Sequence, residues 1–211
     1  MSEDKPAQET KALRTTDAAT MRALAHPLRV EILSLLDTQG EFTASQVAER
    51  LDQTVANASF HLRTLEKHGY VERGEQRGRE KPWRAAHHSR DHTPDPNDPE
   101  SIQQATRLAA VYIQKETARL LNTFERFDSN DADPDWILAS TVTNGDFWAT
   151  KEEMKELVQD LIMITDRFKG RGLDPSKRPP GARKGYFFGT INPDPDTQPW
   201  NPDAEHPEDS E

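Results

Sequence analysis

The chain has no cysteine among its 211 residues. Disulfides, thiolate metal sites and cysteine nucleophiles are therefore excluded, which suits a cytoplasmic protein without establishing one. Long apolar runs are also missing. No segment could span a bilayer, so no membrane partner is expected, and the polar stretch from Met1 to Thr16 contains no signal-peptide core. Hydrophobic residues make up only 33% of the chain and prolines number fifteen, a composition of ordered parts joined by looser ones. No paired-carboxylate or Ser-His arrangement has motif support. The expectation is a protein that is not an enzyme, with no catalytic residue and no cofactor.

Positive charge is scarce overall, with a formal net charge of −10 and a pI near 5.2. Its distribution is uneven. Residues 1–90 carry fourteen Lys/Arg against thirteen Asp/Glu, whereas residues 91–211 carry thirteen against twenty-four. Within residues 58–90 the balance is eight basic to four acidic. A local basic face of this kind can still bind a polyanion, because phosphate contacts act over roughly a Debye length of ~8 Å at cellular salt.

That basic stretch is the most strongly patterned part of the chain. Thr43 precedes Gln46 by three positions, the spacing of a capping box that opens a helix, and Val47, Ala48 and Leu51 form its buried stripe. Asp52-Gln53-Thr54 interrupts the pattern, and Thr54, itself a DNA-binding candidate, is placed to cap a second helix starting at Val55. In that helix Ala58, Leu62 and Leu65 face the core, which turns Ala56, Asn57, Phe60 and Arg63 outward with Ser59 beside them. Small side chains near the helix start allow close approach to DNA. Asn57 and Arg63 carry the donors that suit adenine and guanine edges. After Gly69 the pattern becomes alternating, Tyr70-Val71-Glu72-Arg73, then a polar tip from Gly74 to Lys81, then Pro82-Trp83-Arg84-Ala85. This predicts a two-stranded wing with Arg77, Arg79 and Lys81 near its tip, in reach of phosphates or a minor groove.

Two further segments complete a resemblance. Leu24-Ala25-His26-Pro27-Leu28-Arg29 with Ile32-Leu33 and Leu35-Leu36 looks like the first-helix signature of the ArsR-type winged-helix transcriptional regulators. Ser59-Phe60-His61-Leu62-Arg63-Thr64-Leu65-Glu66, followed by Gly69-Tyr70-Val71, is similar to their recognition helix and entry into the wing. The likeness covers about a third of the chain, with its pieces in the right order. It implies dimeric binding to a double-stranded DNA operator, with repression by promoter occlusion, and it implies that His26 and His61 are core or interface residues. Metal sensors of that family use recognition-helix thiolates or an Asp-x-His pair on the C-terminal helix. This chain has no cysteine, and residues 100–127 contain neither Asp nor His.

The second half begins after a proline-rich linker at 91–99, where Asp98 can cap a helix with Pro99 in its first position. From there to Phe127 an apolar stripe that includes Ile102, Ala105, Ala109, Tyr112, Ile113, Leu120 and Phe124 runs along about 42 Å of helix. We read Ile102, Ala109, Tyr112, Ile113, Leu120 and Phe124 as a dimerisation face, with packing on the winged domain as the other use of the same helix. Trp136–Thr143 and Gly185–Ile191 favour strands, and Thr150 with Glu153 opens an amphipathic helix reaching Phe168. The tail from Asn192 has seven acids, five prolines and no Lys or Arg, a composition of disorder.

Two clusters invite other chemistry. His87-His88-Ser89-Arg90-Asp91-His92 offers metal-ligand types, but neighbouring strand residues point to opposite faces, so a polar linker and no metal site is the better reading. Tyr112, Trp136, Phe147, Trp148, Tyr186, Phe187 and Phe188 could line a pocket for a small-molecule effector, although packing of a small core is the more economical use. The expected fold is mainly α with some β: a disordered lead (1–16), a winged helix-turn-helix domain (17–90), a linker (91–99), a dimerisation helix leading into a small α+β region (100–191) and an acidic tail (192–211). The expected function is a sequence-specific DNA-binding regulator. The alternatives are a metal or small-molecule sensor on the same fold, or a winged protein-interaction module without DNA binding.

Overall fold

A computed structural model describes residues 13–76, 81–87, 90–127, 133–172 and 174–201. The chain divides into two compact units, Met1–Ile137 and Leu138–Glu211. The first is a winged helix-turn-helix followed by one long helix. Its elements are β1 (Leu13–Arg14), α1 (Ala18–Leu24), α2 (Pro27–Gln39), α3 (Ala44–Arg50), α4 (Val55–Lys67), β2 (Val71–Arg73), β3 (Trp83–Ala85), β4 (Arg90–Asp91) and α5 (Pro99–Phe127).

Local chemistry sets the helix starts. At α3 the capping box closes in both directions, with Gln46 N donating to Thr43 Oγ1 at 3.3 Å and Thr43 N donating to Gln46 Oε1 at 2.9 Å. Thr54 Oγ1 accepts from Asn57 N at 3.1 Å and so opens α4. The tight turn between these helices places Asp52 at φ +50°, a left-handed position that a short polar side chain tolerates better than most. Gly69, at φ +74°, ends α4, and its N–H together with that of Tyr70 returns to the carbonyls of Glu66 and Leu65.

The core gathers under the wing. Met21, Leu24, Ile32, Leu33, Leu36, Val47, Leu62, Leu65, Tyr70 and Trp83 are all fully buried. Each large apolar side chain so placed contributes about 1.5–3 kcal/mol relative to exposure. β2 and β3 pair antiparallel, Val71 opposite Ala85 and Arg73 opposite Trp83, while Phe42 bridges to Trp83 from the α2–α3 connection. The Arg73 guanidinium lies 3.5 Å from the centre of the Trp83 ring and closes this corner.

Three boundaries differ from the sequence expectation. Residues 13–16 are part of the fold, not of a disordered lead. β1 pairs parallel with β4, Leu13 opposite Arg90, and Ser101 Oγ donates to the Thr16 carbonyl at 2.6 Å. The expected linker is also tied down, because Asp95 N donates to Ser101 Oγ and His92 contacts Tyr70. Finally, α5 belongs to the winged unit. It packs on α1 and α2, burying Ser101, Gln104 and Leu108 with Ala105, Val111 and Tyr112 partly covered.

The second unit is helical. Short α6 (Pro134–Leu138) lies at the boundary, and α7 (Lys151–Met163) starts at the expected Thr150–Glu153 capping box. Single 3-10 turns follow at Asp166–Phe168 and Pro175–Lys177. The strands expected at 136–143 and 185–191 are absent, so the region is α and not α+β. Pro134 in the first helical position and the Asp133 carbonyl, which accepts from Trp136 N and Ile137 N, start α6 there instead. β-branched residues without a pairing partner have little reason to extend as strands. Of the aromatics expected to line a pocket or fill a core, Tyr112 packs on the first unit's core, whereas those from Trp136 onward are exposed: Trp148 is 72% and Tyr186 62% accessible. No described residue from 133 onward is fully buried. Residues 1–12 of the expected lead and 202–211 of the acidic tail lie outside the described residues.

Burial of histidines in the first unit has a thermodynamic consequence. His26 caps α2, its Nδ1 accepting from Leu28 N at 3.2 Å, and its ring lies 4.7 Å from that of His61. Desolvation holds both imidazoles below the ordinary histidine value of 6.5, and the nearby Arg29 charge adds to this. Desolvation does the same to His92. The folded state therefore keeps neutral rings that the unfolded chain protonates, so stability present above pH 6.5 is lost as the pH falls through that value. Urea unfolding should show a lower midpoint at pH 5.5 than at pH 7.5, and the His26 and His61 ring resonances should titrate below 6.5. Equal midpoints at the two pH values would show that these rings are not held neutral.

Candidate nucleic-acid interface

α4 presents one continuous exposed line. Ala56, Phe60, Arg63 and Lys67 follow each other at helical spacing and are all exposed, with Phe60 58% accessible. The opposite face, Ala58, His61, Leu62 and Leu65, is buried in the core. Asn57 and Ser59 flank the line and are half-buried. A phenyl ring left in water on an otherwise polar helix face is costly unless something covers it. On a recognition helix, apolar groups of this kind meet thymine methyls.

The N-terminal turn of α4 is pre-arranged. Thr54, exposed at the helix start, accepts from Asn57 N and so caps α4. Asn57 Nδ2 donates to Gln53 Oε1 at 2.8 Å, which uses one of its two amide hydrogens. Val55, 50% exposed, stands at the helix start.

Several arginines of this face already have protein partners. Arg84 is paired to Glu72 at 2.7 Å and approaches Glu41 at 3.7 Å. Arg73 covers Trp83 and donates to the Lys81 carbonyl at 3.1 Å. Arg50, on α3, stacks over Phe42 at 4.2 Å. Arg63 and Lys67 on α4 and Lys81 at the wing base are exposed. Of these, Lys67 was not a sequence candidate, although its position one turn beyond Arg63 on the same line marked it. Arg77 and Arg79 lie outside the described residues.

The other candidates separate in space. His87 and His92 do not converge: the His87 carbonyl accepts from Arg90 Nη2, and His92 Nε2 contacts the Tyr70 hydroxyl at 3.1 Å. His88 lies outside the described residues, and no group of three or more His, Asp or Glu able to hold a metal occurs among the described ones. On α5, the expected dimerisation stripe splits into two. Ala105 and Tyr112 turn inward with Leu108, which the stripe had not included, whereas Ile102, Ala109, Ile113 and Phe124 are exposed and Leu120 is half-buried. At 100° per residue the two lines lie about 95° apart around the helix. Tyr112 is therefore a core-facing residue in this fold and not part of the outer stripe.

With this geometry in view, comparison with known proteins adds a family match. Residues 24–73 match the family of helix-turn-helix domains. The chain is similar to a homodimeric winged helix-turn-helix DNA-binding domain from Mycobacterium bovis, described as a possible ArsR-family transcriptional regulator, at 26% identity over 47% of this chain and 77% of that one, with a TM-score of 0.32. An ArsR-like transcriptional regulator from Rhodococcus sp. matches at 26% identity over 54% and 92% of the two chains, with a TM-score of 0.30. Reduced HlyU from Vibrio cholerae matches at 19% identity over 44% and 85%, with a TM-score of 0.30. No curated protein matches the chain in sequence. No helix among the described residues is long and apolar enough to cross a membrane.

Arg63 provides the direct test of the exposed line. Because its side chain packs on nothing in the core, Arg63→Ala should weaken specific DNA binding by about 1–3 kcal/mol while changing folding stability by less than about 0.5 kcal/mol. Fluorescence anisotropy on a selected site, paired with urea unfolding, measures both. Unchanged affinity at matched salt would mean that this line does not read bases.

Proposed function

We propose that this chain is a cytoplasmic, sequence-specific regulator of transcription that binds double-stranded DNA as a homodimer and represses by occluding a promoter. The observation that carries this reading is the exposed line Ala56, Phe60, Arg63 and Lys67 on α4, the second helix of a helix-turn-helix match spanning residues 24–73. α4 enters a major groove. Asn57, Ser59, Phe60 and Arg63 meet base edges, Ala56 lets the backbone come close, and Thr54 fixes the helix start. Arg77, Arg79 and Lys81 of the wing contact phosphates.

Dimerisation follows from the outer stripe of α5. Ile102, Ala109, Ile113, Leu120 and Phe124 form an apolar line on the side of α5 turned away from the unit's own core, and a second copy related by a two-fold axis would cover it. A single recognition helix reads few base pairs. Two of them, set about 34 Å apart, read successive grooves of a near-palindromic site. The acidic second half weakens nonspecific binding and so favours the specific site.

Selection of bound duplexes from a random pool tests the function directly. Enrichment of a near-palindrome with half-sites about one helical turn apart supports the proposal. Recovery of no sequence preference would sink it. Ile113→Glu combined with Phe124→Glu places two charges on exposed positions, so the winged core should persist. Sedimentation should then report monomers, with loss of the palindrome-bound complex. A wild-type chain that sediments as a monomer and binds a half-site with full affinity would leave the stripe without this role.

A further inference from the structure

A cleft of about 330 Å³ opens between α2, β4 and α5 within the winged unit. Its size lies at the lower end of small-molecule sites. Val30 and Leu33 of α2 give it an apolar floor, and Tyr112 and Lys115 of α5 stand opposite. Asp37, Arg90 and His92 line the remaining side.

The polar groups of the cleft are unevenly satisfied. Asp37 takes both terminal nitrogens of Arg90, Nη1 at 2.8 Å and Nη2 at 2.9 Å, in a bidentate pair. Nη2 also donates to the His87 carbonyl. The Arg90 side chain is only 9% exposed, yet its remaining donor, Nε, has no hydrogen-bond partner among the described residues. A buried donor of this kind is normally satisfied, and an orphan marks a missing acceptor. Lys115 Nζ lies 4.0 Å from Glu116 Oε1, too far for a hydrogen bond, with its side chain 27% exposed.

His92 contributes no charge. The single Tyr70 hydroxyl proton is directed to the Thr20 carbonyl at 3.1 Å, so at the 3.1 Å contact with His92 the histidine Nε2–H donates and the phenol oxygen accepts. Nδ1 of a neutral ring is then bare. Burial keeps this ring neutral and keeps the Tyr112 phenol protonated, as a donor. The lining of the cleft thus holds two cations and one carboxylate above an apolar floor, with Glu116, itself paired to Arg119 at 2.6 Å, the nearest carboxylate to Lys115.

We infer that this cleft binds a small monocarboxylate with an apolar body, its carboxylate taking Arg90 Nε–H and Lys115 Nζ and its body lying on Val30, Leu33 and the Tyr112 ring. A neutral molecule would leave Arg90 Nε without a charged acceptor. Asp37 keeps its pair with Arg90 throughout, so binding does not require a buried ion pair to break.

The full chain can be titrated calorimetrically with benzoate and hexanoate, and with benzamide and hexanamide as neutral isosteres, at pH 7.5 and matched ionic strength without DNA. At least one acid should bind, its amide should bind at least about tenfold more weakly, and Lys115→Gln should weaken the acid by about tenfold. Lys115 is partly exposed, so thermal melting of that variant should match the wild type and separate loss of a ligand contact from loss of fold. Tyr112→Phe keeps the ring and removes only the hydroxyl; retention of most of the affinity places the ring, not the hydroxyl, against the ligand body. Acids and amides binding alike, neither acid binding, or Lys115→Gln binding as wild type would each overturn the assignment. Because no DNA is present, the outcome is independent of whether α4 reads an operator.

Discussion

Tyr70 is the residue on which the arrangement of the winged unit depends. Its N–H returns to the Leu65 carbonyl at the end of α4, its own carbonyl accepts from Ala86 N beside β3, and its hydroxyl donates to the Thr20 carbonyl of α1. His92, on the path to α5, donates to the same hydroxyl oxygen. One fully buried side chain thus joins α4, the wing, the first helix and the approach to the long helix. Its ring needs burial, and its hydroxyl needs partners once buried. Meeting both requirements fixes where the wing sits relative to α4.

The same constraint explains why α5 serves two faces. The segment from β4 to α5 is held by the β1 pairing, by His92 and by Ser101, so the first turns of α5 must lie against α1 and α2. Ser101 and Gln104 are buried there although polar, and Leu108 is almost completely covered. Along this helix of 29 residues the buried positions stop at Leu108. Its outer side then carries apolar residues that the unit's own core does not reach. A single amphipathic pattern read from sequence merges the two lines. They separate only when the helix is placed against its neighbours.

What could be read from the residues was whatever depends on short spacing. Thr43 with Gln46, Thr54 with Asn57, Thr150 with Glu153 and Asp98 before Pro99 each set a helix start within a turn of chain, and each start stands where the spacing put it. The alternation of Tyr70–Arg73 and Pro82–Ala85 gave both wing strands for the same reason. Contacts between distant residues were not legible. The two-residue pairing of Leu13–Arg14 with Arg90–Asp91 has no periodic signature, and the Asp37–Arg90 pair joins positions 53 residues apart. The strands expected at 136–143 and 185–191 show the opposite error. β-branched and aromatic composition describes a surface suited to a sheet, but a sheet needs partners, and the second unit supplies none among its described residues.

The proposed DNA-binding face has to be reconciled with a chain of net charge −10. Several arginines near that face are consumed internally: Arg84 by Glu72 and Glu41, Arg73 by Trp83 and the Lys81 carbonyl, and Arg50 by Phe42. They hold the wing base in shape, and each has a cation that is already partly neutralised or desolvated. The exposed line of α4 therefore depends on few charges, Arg63 and Lys67, set among Ala56 and Phe60. Such a surface gains little from the sequence-independent phosphate attraction that dominates strongly basic proteins. If it binds DNA as proposed, its affinity would come from fit to base edges and thymine methyls, contacts that disappear on the wrong sequence. On the proposed reading, an acidic remainder sharpens this contrast, since it would lower binding to every duplex while leaving the difference between right and wrong sites to the base-facing residues of α4.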